Sequence, residues 1–411
     1  MKKHWAIFID NNSSTTKFIR SIKKGNGPEK FSSFYDRKGA LLSRITLEKL
    51  MEEEERRDRK LIDQENQSLR SMSSGEQRRA LIRYIFKSKP DYIILDKPFD
   101  NLDKAYQSEL KKILETKCNN ITYIQLVNRR ADVLPFILNY GKLDGNKFTV
   151  LNHFEDSSKS KLDTDFIGMI PEPIERITVA SDTLVQFMDV NVSYDDKKVL
   201  QNINWTVKKN EFWQLMGRNG SGKTTILSMI TGDNPKAFGQ QIHLFGQKKG
   251  SGESVWDIKS KIGYYSPAMT DKFSGSHTLE NMLISGLNDS IGLYIRPTEV
   301  QQILIKKWLT LLNLTAIKDR LFRDLTVGQK RLVMTARAMV KHPPLLILDE
   351  PTAGMDDDSA HLLVSLVNKI ASETRTTIIF VSHRTEPGLL PKKIFLLKMT
   401  KNGSNGYVKI P

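Results

Sequence analysis

The sequence predicts an α/β fold made of two similar domains, and three observations support this prediction. The chain has 411 residues, which is enough for two or three domains with a core each. The stretch YIILDKPFDNLD at 92–103 returns as LLILDEPTAGMD at 345–356, both times as an apolar strand that ends in an aspartate. A third stretch, EFWQLMGRNGSGKTTILSMITGD at 211–233, is typical of a strand, a glycine-rich loop and a helix. Parallel strands that alternate with helices indicate an α/β sheet.

Composition limits what the chain can be. Its net charge of +16 suits nucleic acid, a ribosome or a membrane surface as partner, or only a solvated basic surface. The single cysteine, Cys118, excludes a disulfide framework and a thiolate zinc site, and it favours the reducing cytoplasm. No run of about 18 apolar residues is present, so a role at a membrane would need a partner that crosses it.

The segment GRNGSGKTT at 217–225 contains the complete pattern G-x-x-x-x-G-K-[ST] between an apolar strand and a helix. Glycines let backbone N–H groups close around phosphate oxygens at the positive end of a helix. Lys223 is therefore expected to reach the β- and γ-phosphates of ATP, and the Thr224 hydroxyl is expected to bind Mg²⁺. The predicted nucleotide contacts of this loop are Gly217, Asn219, Gly220, Ser221, Gly222, Lys223, Thr224 and Thr225.

Two acidic residues and a histidine follow buried strands later in the chain. Asp349 ends the strand of LLILDEP and is placed to bind Mg²⁺ directly or through water. Glu350 follows it and is placed to polarise an attacking water molecule. His383 ends the strand of TTIIFVSHR, where it could contact the γ-phosphate and orient Glu350 or the water. The predicted catalytic residues are Glu350, His383 and Lys223.

The stretch LFRDLTVGQKRLVMTARAMVKHPPLLILDEP at 321–351 resembles the ATP-binding cassette (ABC) family, and the resemblance covers residues 184–400. It implies P-loop nucleotide-binding domains with a mixed sheet, flanking helices and a helical signature subdomain. Tyr194 matches the aromatic residue of the family that stacks on adenine. The family has a glutamine where this chain offers Ser266 and Pro267, so Ser266 becomes a further candidate ligand of Mg²⁺. The signature positions are Leu325, Thr326, Val327, Gly328 and Gln329.

The first half of the chain aligns with the second but is degenerate. LRSMSSGEQRRALIRYIFKSKPDYIILDKPFDNLD at 69–103 matches the signature, helix and strand, and HWAIFIDNNSSTTKF at 4–18 overlays the glycine loop. A strand equivalent to that of Tyr194 is expected to be absent, and the short spacing predicts a truncated helical subdomain. The predicted domains are a degenerate one at 1–143, a connector at 144–183 and an intact one at 184–411. The damaging replacements in the first copy are Ile9, Ser14, Thr15, Lys97 and Asn128.

ABC domains work as head-to-tail pairs, so the resemblance implies intramolecular pairing of the two halves around two composite ATP sites. The intact P-loop would be completed by Ser73 and Gly75 of the first signature. The other site would join Thr15 and Lys97 to a signature in which Val327 replaces a glycine. One site is therefore predicted to hydrolyse ATP and the other to be silent.

The resemblance leaves three functions open. The first is the ATP-binding subunit of a membrane importer, and the segment LFGQKKGSGESVWDIKSKIGYYSP at 244–267 is most similar to tandem ABC proteins associated with molybdate uptake. Such a protein would be cytoplasmic, at the inner face of the membrane, with integral-membrane permease subunits as partners. The second is a soluble ABC ATPase that acts on DNA or a ribosome. The third is a regulatory or scaffold protein whose conformation ATP sets.

Overall fold

The computed structural model describes residues 3–10, 13–57, 68–72, 74–100, 102–152, 166–195, 197–273 and 275–411. Their contacts divide the chain into two compact units. The first unit contains residues 1–161 together with 354–357, and the second contains residues 162–353 and 358–411. In the part of the chain that is described, no helix is long and apolar enough to cross a membrane.

The first unit is built on a six-stranded sheet with the order β2-β3-β4-β1-β5-β6. All neighbours pair in parallel except β6, which runs antiparallel to β5. The central strands are buried along almost their whole length, as expected for a parallel sheet that is covered on both faces. The strands are β1 (Trp5–Ile9), β2 (Gly39–Leu42), β3 (Tyr92–Asp96), β4 (Thr122–Val127), β5 (Asn139–Asp144) and β6 (Lys147–Leu151).

Helices cover both faces of this sheet. Successive side chains of a strand point to opposite faces, so one strand contributes apolar side chains to both sides. Trp5 and Ile7 pack with Phe18 in one apolar cluster, whereas Ala6 packs with Leu81 in another. The helices are α1 (Thr15–Lys23), α2 (Arg44–Arg57), α3 (Ser74–Lys87) and α4 (Lys104–Glu115).

The second unit has a ten-stranded mixed sheet with the order β11-β10-β7-β8-β16-β15-β9-β14-β13-β12. Its strands are β7 (Thr183–Tyr194), β8 (Lys197–Lys208), β9 (Phe212–Gly217), β10 (Gln241–Leu244), β11 (Gln247–Lys248), β12 (Ile262–Tyr265), β13 (Leu345–Asp349), β14 (Thr377–Ser382), β15 (Lys393–Thr400) and β16 (Gly403–Lys409). Its helices are α5 (Lys223–Ile230), α6 (Val255–Ser260), α7 (Pro267–Lys272), α8 (Leu279–Ser285), α9 (Glu299–Leu311), α10 (Val327–Met339) and α11 (Asp357–Glu373).

The two sheets confirm the internal repeat. The order β12-β13-β14-β9-β15-β16 reproduces β2-β3-β4-β1-β5-β6 strand by strand. The register is the same as well, since Trp5 pairs with Ile124 just as Trp213 pairs with Ile379. Strands β7, β8 and β10 have no counterpart among the described residues of the first unit. The predicted α/β fold with one truncated copy is therefore confirmed.

The segment between the two copies contributes to both units. Strand β6 extends the first sheet into the stretch 144–183 that the sequence assigned to a connector. Residues 166–182 lie in the second unit, where the Ile170 N–H donates to the Glu373 carboxylate at 2.9 Å. A ring nitrogen of His342 also lies 2.7 Å from the Pro171 carbonyl oxygen.

Candidate nucleotide-binding site

The loop between β9 and α5 requires its glycines. Gly220 and Gly222 have φ values of 78° and 90°, in the left-handed region that favours glycine. A Cβ atom on Gly222 would lie 2.5 Å from a methyl group of Leu200. One on Gly217 would lie 2.4 Å from the Ser221 hydroxyl oxygen. The loop conformation therefore follows from the residue types at these positions.

The loop curls around the ammonium group of Lys223. The Lys223 Nζ donates to the carbonyl oxygens of Gly217 and Arg218 at 2.9 and 3.2 Å, and its side chain is buried. The hydroxyl oxygen of Ser221 is also buried, and it has no hydrogen-bond partner among the residues that the structure describes. A buried cation, an unpartnered hydroxyl and the start of a helix together fit an anionic group such as a phosphate.

Two adjacent carboxylates lie at the end of β13. Burial and the neighbouring Glu350 raise the pKa of Asp349 to about 6. Burial also opposes ionisation of Glu350, but the hydrogen bond with His383 and the charge of Lys223 outweigh it and lower the pKa of Glu350. The Lys223 Nζ lies 3.9 Å from a Glu350 oxygen. A pair of half-buried carboxylates with a raised pKa on one member fits a bound cation such as Mg²⁺.

His383 follows β14, which pairs with β13. Its Nδ1 lies 3.2 Å from Glu350 Oε1, a hydrogen bond in which Nδ1 donates when it carries the proton. Its Nε2 is buried and has no hydrogen-bond partner within the described part of the chain. The structure thus brings Lys223, Glu350 and His383 together, because the parallel register of β9, β14 and β13 places their carboxyl ends at one edge.

Sequence reasoning missed Tyr264. Its hydroxyl donates to Asp349 Oδ2 at 3.4 Å, and burial raises the pKa of this phenol. Ser266 caps the start of α7 and is close enough to hydrogen-bond with the Tyr264 hydroxyl. No local signal in the sequence indicated this contact, because only the parallel pairing of β12 with β13 brings Tyr264 to Asp349.

The remaining predicted residues are placed one by one. Tyr194 ends β7 with 40% of its surface exposed, and its hydroxyl accepts a hydrogen bond from the Asn234 side chain at 2.8 Å. Thr224 and Thr225 lie in the first turn of α5, and Asn219 lies in the loop. Gly75 is buried in the first turn of α3 in the first unit. Ser73 lies outside the described residues.

The equivalent loop of the first unit is closed by its own chain. Ile9 is buried where the second unit has Gly217. The Ser13 hydroxyl oxygen lies 2.5 Å from Asp10 Oδ1 and 2.6 Å from the Leu143 carbonyl oxygen. Ser14 precedes the first residue of α1, Thr15, where the second unit has its lysine. The loop therefore carries neither the cation nor an unsatisfied hydroxyl at these positions.

Lys97 keeps the backbone of Glu350 while reversing its charge. The φ angles are 48° and 49°, and their N–H groups donate to Leu126 and Val381 carbonyl oxygens at 3.1 and 2.9 Å. Asn128, at the position of His383, donates to the Gly354 carbonyl oxygen at 2.9 Å within the first unit. The turn after the strand is therefore conserved in conformation, and only its chemistry has changed.

Comparison with known proteins agrees with this geometry. The family model described as ABC transporter matches residues 200–353. The ABC transporter ATP-binding protein ModF of Escherichia coli is 36% identical over 77% of this chain and 67% of that protein. An uncharacterized ABC transporter ATP-binding protein of Schizosaccharomyces pombe is 33% identical over 77% of this chain and 66% of that protein. The chain thus spans about two thirds of the length of these relatives.

Solved structures show the same fold. A chain in a model of ribosome-bound archaeal Pelota and ABCE1 covers 99% of this chain and 75% of its own length, with a TM-score of 0.65 and 15% identity. At this identity the similarity concerns the fold alone. From the sequence relatives, the chain belongs to the ATP-binding proteins of ABC transporters, a family of ATPases.

Proposed function

We propose that the second unit hydrolyses ATP to ADP and phosphate, and that the equivalent site of the first unit is silent. One observation carries the proposal: Glu350 lies between His383 at 3.2 Å and Lys223 at 3.9 Å. This pairing lowers the pKa of Glu350, so its carboxylate is ionised at neutral pH and can accept a proton. In the first unit the same backbone position carries Lys97, which has no carboxylate to offer.

The residues of the site have different roles in the proposed reaction. The loop 217–225 binds the phosphates through its N–H groups, Ser221 and Lys223, and Tyr194 stacks on adenine. Glu350 takes a proton from the attacking water while His383 holds the carboxylate in place. Thr224, Asp349 and Ser266 would hold Mg²⁺, which supplies positive charge at the β- and γ-phosphates when bound.

A pair of charge changes tests this assignment. We expect Glu350→Gln to lower Mg²⁺-dependent ATP turnover by about 10²- to 10⁴-fold, because the general base is lost while the fold is kept. Lys97→Glu is the matched control, and it should leave turnover within about twofold of wild type. Release of phosphate from purified protein gives the rate. Appreciable turnover by the Glu350→Gln protein would overturn the proposal.

We also propose that the signature of the first unit, with Ser73 and Gly75, completes this ATP site as the family resemblance implies. The similarity of residues 69–103 to residues 322–356 supports the idea. Ser73→Arg should then abolish turnover without lowering the melting temperature of the nucleotide-free protein. Val327→Arg is the control, because it changes the signature of the other copy. Equal turnover in wild type and Ser73→Arg would show that the first signature is not used.

As a partner we propose the integral-membrane permease subunits of an importer, for a molybdate-type anion, at the inner face of the membrane. The similarity to ModF and to other ABC transporter ATP-binding proteins supports this choice. Glu350→Gln protein, purified from cells with ATP present, should carry permease subunits with it, whereas the Lys223→Ala protein should not. Recovery of ribosomes or DNA would assign the second function instead, and recovery of neither would favour a regulatory role.

A further inference from the structure

A buried polar pair lies close in sequence to the predicted general base, Glu350, and to its hydrogen-bond partner, His383. Thr352 follows Glu350 by two positions, and Glu386 follows His383 by three. The Thr352 hydroxyl donates to Glu386 Oε1 at 2.7 Å. Both side chains are almost fully buried, with 2% and 3% of their surface exposed. A carboxylate buried to this degree is stable only with partners, so this hydrogen bond ties the two turns together.

The turn that contains Glu386 is also fixed at its other end. The Arg384 carbonyl oxygen accepts hydrogen bonds from the Ser382 hydroxyl at 2.6 Å and from the Gln214 side chain at 3.4 Å. The Arg384 side chain reaches back to Glu386 Oε1 at 3.7 Å. His383 therefore lies in a short segment whose backbone is held on both sides.

The first unit shows that this arrangement is not needed to fold the turns. Phe99 and Ala131 occupy the positions of Thr352 and Glu386. Even so, the backbone of Lys97 matches that of Glu350 in φ and in its hydrogen bond to the next strand. The polar pair is thus found in the copy that has His383 and Glu350, and it is absent from the equivalent positions of the copy that lacks both.

We propose that Thr352 and Glu386 are positioning residues that hold His383 Nδ1 against Glu350 in the second unit. This inference rests on the proposed ATP hydrolysis at Glu350. Without the pair, the segment 384–386 loses one of its two attachments, and the His383 ring is held less firmly at its distance from the carboxylate. Thr352 and Glu386 lie in the turns after β13 and β14 and outside the phosphate-binding loop 217–225, so we expect the affinity for ATP to stay close to that of the wild type.

Three variants test the role. Thr352→Val removes the hydroxyl at nearly constant volume, and Thr352→Ser restores it. The double variant Thr352→Val/Glu386→Met replaces both partners by apolar side chains, which keeps a buried carboxylate from being left unpaired. Turnover, KM for ATP and the melting temperature are measured for each. A second readout is independent of ATP: the rate at which diethyl pyrocarbonate modifies His383 in nucleotide-free protein, followed by mass spectrometry.

Thr352→Val and the double variant should lower kcat by about tenfold, because a misplaced general base loses part of its contribution to the rate. They should leave the KM for ATP unchanged. They should also speed modification of His383, whereas Thr352→Ser should behave as wild type in both. The double variant should still unfold in a single transition, at a melting temperature somewhat below that of the wild type because the Arg384–Glu386 contact is lost. The inference is overturned if the double variant keeps kcat and the modification rate of His383. If Glu350→Gln retains turnover, the proposed function fails instead, and the modification rates still decide whether the pair positions His383.

Discussion

The loop after β1 and the loop after β9 connect equivalent strands to equivalent helices, but they satisfy their polar groups in opposite ways. In the first unit, Ser13 bonds to the carbonyl oxygen of Leu143 on the neighbouring strand. In the second unit, the Ser221 hydroxyl is buried without a hydrogen-bond partner among the described residues, and the Lys223 ammonium donates to loop carbonyl oxygens. A loop that completes its own hydrogen bonds is suited to stability, and one that leaves them open is suited to a ligand.

The same contrast holds at the ends of β3 and β13. Both strands end in a half-buried aspartate whose pKa is raised, and both turns share one backbone conformation. The neighbour is Lys97 in one copy and Glu350 in the other. Lys97 favours ionisation of Asp96, whereas Glu350 opposes ionisation of Asp349. Asp349 thus has a second carboxylate as its neighbour in the chain, whereas Asp96 has an ammonium group.

The largest effect is expected from the lysine that only one loop carries. Lys223→Ala should weaken ATP binding by roughly 10- to 100-fold, because it removes a charge-assisted contact of about 1.5–3 kcal/mol. Thr15→Ala, the equivalent change in the first unit, should leave the affinity unaltered. Titration with ATP by isothermal calorimetry measures both. A comparable loss in the Thr15→Ala protein would show that the first unit also binds the nucleotide.

Ser13 and Ser221 provide a second test, because replacement by alanine should affect the free energy of unfolding differently at the two positions. Ser13→Ala should lower stability by about 1 kcal/mol, because the hydroxyl makes hydrogen bonds within the fold. Ser221→Ala should leave the stability of the nucleotide-free protein equal or slightly higher, since it removes a buried hydroxyl without a partner. It should also weaken ATP binding severalfold. Urea unfolding without ATP gives both stabilities, and destabilisation by Ser221→Ala would contradict the comparison.

The smallest effect concerns pH. Burial raises the pKa of Asp96, although Lys97 acts in the opposite direction. The folded state therefore holds the Asp96 proton more tightly than the unfolded state does. The free energy of unfolding falls as the pH rises from the pKa of Asp96 in the unfolded state to its pKa in the folded state, and it stays lower at higher pH. Asp96→Asn should raise the melting temperature at pH 7.5 and lose this advantage as the pH approaches 4. The exposed Asp144→Asn is the control, and an equal gain at both pH values would contradict the explanation.

Much of the fold could be predicted because its signals are local. The strand–loop–helix pattern at 211–233 and the repeated LD-x-P phrase each lie within a few residues, and the structure confirms the repeated sheet that they indicate. The group of Lys223, Glu350 and His383 could also be anticipated, since each follows a strand of one parallel sheet. Tyr264 could not, because its partner Asp349 is 85 residues away and only the pairing of β12 with β13 brings them together.

By itself the sequence determined the two α/β copies, the glycine loop that only one of them retains, and the reversal of charge between Lys97 and Glu350. These depend on residue types at fixed spacing, which backbone geometry converts directly into strands, turns and loops. Only the tertiary structure decided which polar groups are satisfied: Ser13 by Leu143, Glu386 by Thr352, and the Ser221 hydroxyl by no group of the described residues. The reason is that burial and strand register set these contacts, and both depend on residues far apart in the chain.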